Sequence, residues 1–212
     1  MITAHGGAMG TGRNTLAFFK HLDDYNVDAF EVDVWKKSGL LYLSHLPAFF
    51  GHYRKKLTLR YAFEVAKNSG LKINCDLKQP GIVKDVIALA KEVGMERLLI
   101  FTGCVRIEDG KYLDCGEAWF NSVGIKYVKE NVKKIKELLD SYNNPHFAGI
   151  NIRYKKINDE FLDECDKYGL RVSVFTLDSK WAISKYAKRI NGNITTNRPL
   201  EVREIIESGE FI

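Results

Sequence analysis

Residues 28–35 read Asp28-Ala29-Phe30-Glu31-Val32-Asp33-Val34-Trp35. Successive side chains of a strand point to opposite faces. Phe30, Val32 and Val34 therefore share one face and Glu31 and Asp33 the other. The apolar face suits a layer of covering helices. The other face carries two carboxylates near the strand's C-terminal end, and like charges held away from water are costly unless a cation compensates them. Either a hard divalent metal or basic side chains must stand opposite, so the choice at this point is between a metal centre and a buried salt-bridge cluster.

The next strand adds to the same end. In Lys72-Ile73-Asn74-Cys75-Asp76-Leu77-Lys78 the alternate residues Asn74, Asp76 and Lys78 share a face, bringing a third carboxylate and a cation to the same rim. Three carboxylate donors, with water or substrate completing the shell, suit Mg²⁺ or Ca²⁺ better than zinc, which prefers nitrogen and sulfur. Two histidines fall at strand ends: His5 closes the first strand, and His45 follows a short hairpin strand at 40–43, after a Ser38-Gly39 turn. Two imidazoles beside a metal-bound phosphodiester can divide the general-base and general-acid roles. His21, His52 and His146 lack such company and are read as surface or packing residues.

Away from this rim the chain alternates β-rich runs at 1–5, 28–35, 72–76, 97–102, 147–153, 171–176 and 193–195 with helical stretches at 14–25, 58–68, 81–93, 126–142, 158–168, 179–188 and 200–208. That is the pattern of a parallel α/β fold. Gly70, Gly94 and Gly169 mark helix ends shortly before strands. An eighth strand is expected between Cys104 and Ile125, with 112–113 and 118–123 as candidates. Eight strands close a barrel, whereas six or seven suit an open doubly wound sheet; the barrel is the reading adopted. No Gly-x-Gly-x-x-Gly follows a strand and no Walker-type phosphate loop is present.

At 212 residues, with 45% hydrophobic content, the chain is the size of one domain, taken as 1–212. A net charge of +5 with charges of both signs interspersed suits an anionic small molecule and falls short of a nucleic-acid footprint. The lysines of 126–136 are read as a solvated helix face. Cys75, Cys104, Cys115 and Cys165 are widely spaced, which argues against a zinc site and against a disulfide-dense scaffold. Residue 1 leads directly into a strand-like run, with no basic leader and no stretch of about 18 apolar residues, so a cytoplasmic location is expected.

In this order and at these distances the motifs resemble the glycerophosphodiester phosphodiesterase family. That family has Ala-His-Arg-Gly at a strand end, Glu-Asn-Thr at a helix start, Glu-x-Asp-Val, His-Asp, and Glu-x-Lys on the next strand. Here stand Ala4-His5-Gly6-Gly7, Arg13-Asn14-Thr15, Glu31-Val32-Asp33-Val34, His45-Leu46 and Asp76-Leu77-Lys78. Val174-Phe175-Thr176 is similar to the family's Val-Trp-Thr, and residues 192–199 to its closing Gly-x-x-Thr-Asp-x-Pro. The match spans residues 2–200.

The resemblance implies a short (β/α)8 TIM barrel that hydrolyses a glycerophosphodiester to an alcohol and a glycerol phosphate. It implies His5 and His45 as the acid and base, Glu31, Asp33 and Asp76 as ligands of Mg²⁺ or Ca²⁺, and Lys78 as a phosphate-binding or ligand-orienting cation. The departures are Gly6 for the family's arginine, Arg13 for its glutamate, Leu46 for its aspartate and the shorter Asp76 as third ligand. The family's usual insertion after the second histidine is largely missing, since only residues 46–57 are available. Arg13 is expected to replace the cation missing at position 6 and to bind substrate. A lysophospholipid-type phosphodiesterase and a catalytically silent barrel that binds a phosphorylated metabolite or a partner are the competing readings.

Overall fold

Alternation along the second strand is realised as read: Phe30, Val32 and Val34 are fully buried on the outer, helix-covered side. In the computed structural model, which describes residues 1–208, eight parallel strands close a barrel. They are β1 (Ile2–Ala4), β2 (Ala29–Lys37), β4 (Lys72–Leu77), β5 (Leu99–Gly103), β6 (Glu117–Phe120), β7 (Phe147–Arg153), β8 (Val172–Phe175) and β9 (Asn193–Thr196). Closure is made by β1, which pairs with β9 on one side and β2 on the other. Strand β3 (Leu40–Leu43) is antiparallel to the end of β2, and Ser38 and Gly39 both take positive φ in the turn between them, as a tight hairpin requires.

The outer layer consists of α1 (Leu16–Lys20), α2 (Leu59–Ser69), α3 (Val83–Val93), α4 (Val132–Ser141), α5 (Asp159–Tyr168), α6 (Lys180–Tyr186) and α7 (Pro199–Glu207). Side-chain caps start several of them. Thr58 accepts from the Tyr61 amide at 3.2 Å and Asn158 from the Phe161 amide at 2.9 Å, each satisfying an amide that has no partner within the helix. Gly70, Gly94 and Gly169 close α2, α3 and α5 in the left-handed conformation. None of the helices described is long and apolar enough to cross a membrane.

Three expectations change. Residues 14–25 form no single helix: Asn14 has φ +54°, α1 spans five residues from Leu16, and a 3-10 turn covers Leu22–Tyr25. The stretch 126–142 is helical only from Val132, after a 3-10 turn at Lys129–Asn131. Val128 and Tyr142, within that stretch, lie beyond the ends of the helix and are 42% and 49% exposed. The eighth strand is Glu117–Phe120, at the second candidate. The first candidate fails because Tyr112 ends a 3-10 segment, Ile107–Tyr112, which takes the place of a helix between β5 and β6.

The barrel interior is layered. At the N-terminal end Ala29, Ile100 and Trp119 pack together, with the Arg171 guanidinium 4.9 Å from the Trp119 ring. Gly192 is required there, because a Cβ would meet the indole and the Val172 carbonyl oxygen. Above this plug Thr3 Oγ1 donates to Asn193 Oδ1 at 2.7 Å, and Asn193 Nδ2 donates to Ser173 Oγ at 3.3 Å. The next inward positions, at the C-terminal end, belong to the carboxylates.

Candidate active site

Glu31 and Asp33 on β2 are 6% and 4% exposed, and Asp76 stands beside Asp33 in the register of β2 against β4. One carboxylate oxygen from each of Glu31, Asp33 and Asp76 lies within 4.8 Å of the others. Gly103 on β5 carries φ +74°, and a Cβ there would collide with the Asp76 carboxylate and the Leu77 backbone, so the third carboxylate occupies the space of a missing side chain.

Among the described residues a single cation pairs with this cluster. Lys78 Nζ lies 2.6 Å from Asp33 Oδ1 and also bonds Asp76 Oδ2. One cation facing three carboxyl groups leaves the salt-bridge alternative incomplete. Burial, with Asp76 and Asp33 beside it, pushes Glu31 well above the usual carboxylate range. Burial raises Asp76 too, although Lys78 opposes the shift. For Asp33 the burial cost is outweighed by Lys78 and by the Asn14 hydrogen bond, and its carboxyl is lowered. A compact set of all-oxygen donors in which carboxyl groups outnumber cations fits a hard divalent cation.

His5 reaches the cluster from the end of β1, with Nε2 3.6 Å from Glu31 Oε2. Its tautomer follows from its neighbours. The Asp178 carboxylate accepts from the Asn197 backbone amide at 2.7 Å and from Asn197 Nδ2 at 2.7 Å. A carboxylate can only accept here, so Asn197 must turn its carbonyl oxygen to His5 Nδ1, 2.9 Å away. The proton therefore sits on Nδ1, and Nε2 presents a lone pair to the cavity. Burial first, then the nearby Arg13, holds the His5 pKa below its ordinary value, which favours the neutral ring. His45, half exposed, places Nδ1 3.5 Å from Asp33 Oδ1.

Arg13 is exposed on the turn before α1 rather than at a helix start, and makes no ion pair among the described residues. Even so, it lines the same cavity of about 390 Å³ as His5, Glu31, Asp33, His45, Asp76 and Lys78. All seven residues singled out from the sequence thus meet at one place. A larger cavity of about 910 Å³ adjoins it over β5–β7, sharing Asp76, Lys78, Asn121, Asn151, Arg153 and Phe175 and adding Lys126 and Lys156.

The fold has solved counterparts. A phosphodiesterase from Oleispira antarctica, in complex with the product sn-glycerol-3-phosphate, superposes with a TM-score of 0.74 at 18% identity, covering 98% of this chain and 96% of that one. Its fold is that of the glycerophosphodiester phosphodiesterases. The enzyme of that name from Parabacteroides distasonis matches at TM-score 0.74 and 16% identity, over 98% of this chain and 96% of that one. Another from Agrobacterium tumefaciens matches at 0.70 and 18%, over 98% and 99%. No protein-family model matches the sequence, and no curated protein does.

Within the glycerophosphodiester phosphodiesterase fold, three polar residues that orient the site's groups by hydrogen bonds, Asn14, Asn197 and Asp178, went unassigned in the sequence. Asn14, in the Arg13-Asn14-Thr15 motif, donates to Asp33 Oδ2 at 2.8 Å. Asn197 lies in the closing motif, so its presence was visible but its partner was not. Asp178 carries no local sequence signal; it follows β8 by a few residues and is identified by its contacts.

Proposed function

We propose that the protein hydrolyses a glycerophosphodiester to an alcohol and a glycerol phosphate with a divalent cation held by Glu31, Asp33 and Asp76. The reading is carried by one observation: a histidine held by Asn197 faces a three-carboxylate cluster in a cavity that also receives Lys78, His45 and Arg13. Bound Mg²⁺ or Ca²⁺ would offset the charge on the phosphoryl oxygens.

The chain's own residues handle protons and position. His5 Nε2 takes a proton from the attacking water as the water oxygen bonds to phosphorus, and later returns it to solvent. The bond from phosphorus to the alcohol oxygen breaks, and that oxygen takes a proton from His45, whose half-exposed ring is recharged from water. Lys78 fixes Asp33 and Asp76 in place, and Arg13 offers its guanidinium fork to the phosphate. The alcohol occupies the larger cavity, against Arg153 and Lys156.

The test is turnover of glycerophosphocholine, glycerophosphoethanolamine, glycerophosphoglycerol and lysophospholipids, with Mg²⁺, with Ca²⁺ and with chelator. Chelator-sensitive release of glycerol phosphate is expected. No turnover of any of these with either ion would overturn the proposal in favour of a barrel that only binds phosphorylated ligands.

A further inference from the structure

Phe50 is 96% exposed, Phe49 68% and Leu46 69%, all within five residues after His45. They belong to the connection between β3 and α2, whose base is fixed on both sides of the aromatic pair. The Ala48 amide donates to Tyr42 Oη at 3.2 Å, and the Ala48 carbonyl accepts from Lys37 Nζ at 3.4 Å. Beyond the pair, the His52 amide donates to the Phe49 carbonyl at 3.0 Å, and the buried Tyr53 ring packs against Tyr42 at 5.8 Å. The two phenyl groups are therefore held out in water, where apolar surface is unfavourable. Leu16 on α1 is 50% exposed and lines a cleft with Leu46 and His45, extending the apolar rim beside the site.

Charge around this tip is one-sided. Between Asp33 and Glu64 there is no acidic residue, and the cations are Lys36, Lys37, Arg54, Lys55, Lys56 and Arg60. Lys36 pairs with Asp85 and Arg60 with Glu92. Lys37, Arg54, Lys55 and Lys56 have no carboxylate partner among the described residues.

We propose that this tip docks on an anionic lipid surface, with Phe49 and Phe50 entering the headgroup boundary and the four unpaired cations meeting the headgroups. A projecting apolar apex with cations behind it matches a bilayer in depth order, acyl boundary first and anionic layer next. A protein partner of matching chemistry would have to supply a groove for a convex tip. Docked in this way, the mouth beside His45 faces the membrane. Either signal alone gives marginal attachment, so both should be needed.

The experiment is co-sedimentation of the full chain with phosphatidylcholine vesicles, with and without phosphatidylglycerol, at low and high salt. The wild type is expected to sediment with phosphatidylglycerol vesicles at low salt and to be released by high salt. Phe49→Ala/Phe50→Ala should lower the bound fraction about tenfold or more, and Lys55→Ala/Lys56→Ala should weaken low-salt binding. Both should keep the wild-type melting temperature, since all four side chains are solvent-exposed. Wild-type protein left in the supernatant, or a phenylalanine variant that binds like wild type, would overturn the proposal. So would a concentration-dependent dimer that the phenylalanine variant abolishes and vesicles do not displace, which would assign the tip to a second copy. Hydrolysis enters none of these readouts, so failure here is distinct from failure of the proposed activity.

Discussion

Asn14 and Asp33 hold each other by two hydrogen bonds: Asn14 Nδ2 donates to Asp33 Oδ2 at 2.8 Å, and the Asp33 amide donates to Asn14 Oδ1 at 3.1 Å. The turn before α1 is thereby tied to the carboxylate cluster. Asn14→Gly tolerates the positive φ but removes both bonds. It should cost about 1–3 kcal/mol by leaving buried groups unpaired, and should weaken divalent-ion binding. Calorimetric unfolding and a metal titration check this; a variant with wild-type metal affinity would free Asp33 of any dependence on Asn14.

The chain from Asp178 through Asn197 to His5 gives a second expectation. Asn197→Leu removes the acceptor that keeps the proton on His5 Nδ1. Activity should fall roughly 10- to 100-fold, the usual cost of losing an orienting partner. The ¹⁵N shifts of His5 should report mixed tautomers. Wild-type shifts in the variant would show that another contact fixes the ring.

His5 acts as a base only when deprotonated, and its folded pKa is lowered. The acid limb of kcat/KM should therefore lie below the ordinary histidine value, with activity lost as pH falls through the folded pKa. Burial is the main cause and Arg13 the next, so Arg13→Ala should shift that limb upward. The same variant should lower kcat/KM about 10- to 150-fold through loss of a charge-assisted phosphate contact of about 1.5–3 kcal/mol. Arg13→Lys should restore the limb but only part of the rate, because an ammonium lacks the fork. An unmoved limb in Arg13→Ala would place the guanidinium too far away to act on His5.

Glu31 and Asp76 have raised folded pKa values in the protein without metal. Their contribution to stability is full below the unfolded pKa and is lost as pH rises through the folded pKa. Asp33, lowered, runs the opposite way and is lost on acidification. The two raised groups outnumber it, so the metal-free protein should lose stability as pH rises above the ordinary carboxylate range. Mg²⁺ or Ca²⁺ should restore it, with a gain in melting temperature that grows with pH as metal displaces the Glu31 proton. Glu31→Gln should reduce that pH dependence to the part that Asp76 carries. A melting temperature indifferent to metal at every pH would leave the cluster as a salt bridge.

Gly103→Ala should disturb the site without replacing any of its side chains. Its Cβ would fall on the Asp76 carboxylate, and its φ of +74° is strained for alanine by about 1–3 kcal/mol. Loss of metal affinity beyond the loss of stability is expected; equal melting curves and affinities would contradict the packing described.

Glu31, Asp33, Asp76 and Lys78 were legible in the sequence because strand alternation is a local rule, and two strands obey it over six or more residues. Strand β6 was harder to place. It is four residues long, its pairing with β7 shifts between Ala118 and Trp119, and its inward residue is a tryptophan that reads like an outward one. The tie between His5 and Asn197 spans 192 positions, so only closure of the barrel brings them together. The unpaired cations and exposed phenylalanines after His45 were present in the sequence, but residues 46–57 were read only as a shortened insertion. Exposure, which periodicity cannot report, gives them a different meaning.

The plug of Trp119, Ala29 and Ile100 makes the barrel a cup rather than a tube. Traffic consequently has a single mouth: whatever reaches the carboxylates must back out along its own track. Both fragments of a cleaved molecule share that exit, and a lingering fragment obstructs the next arrival.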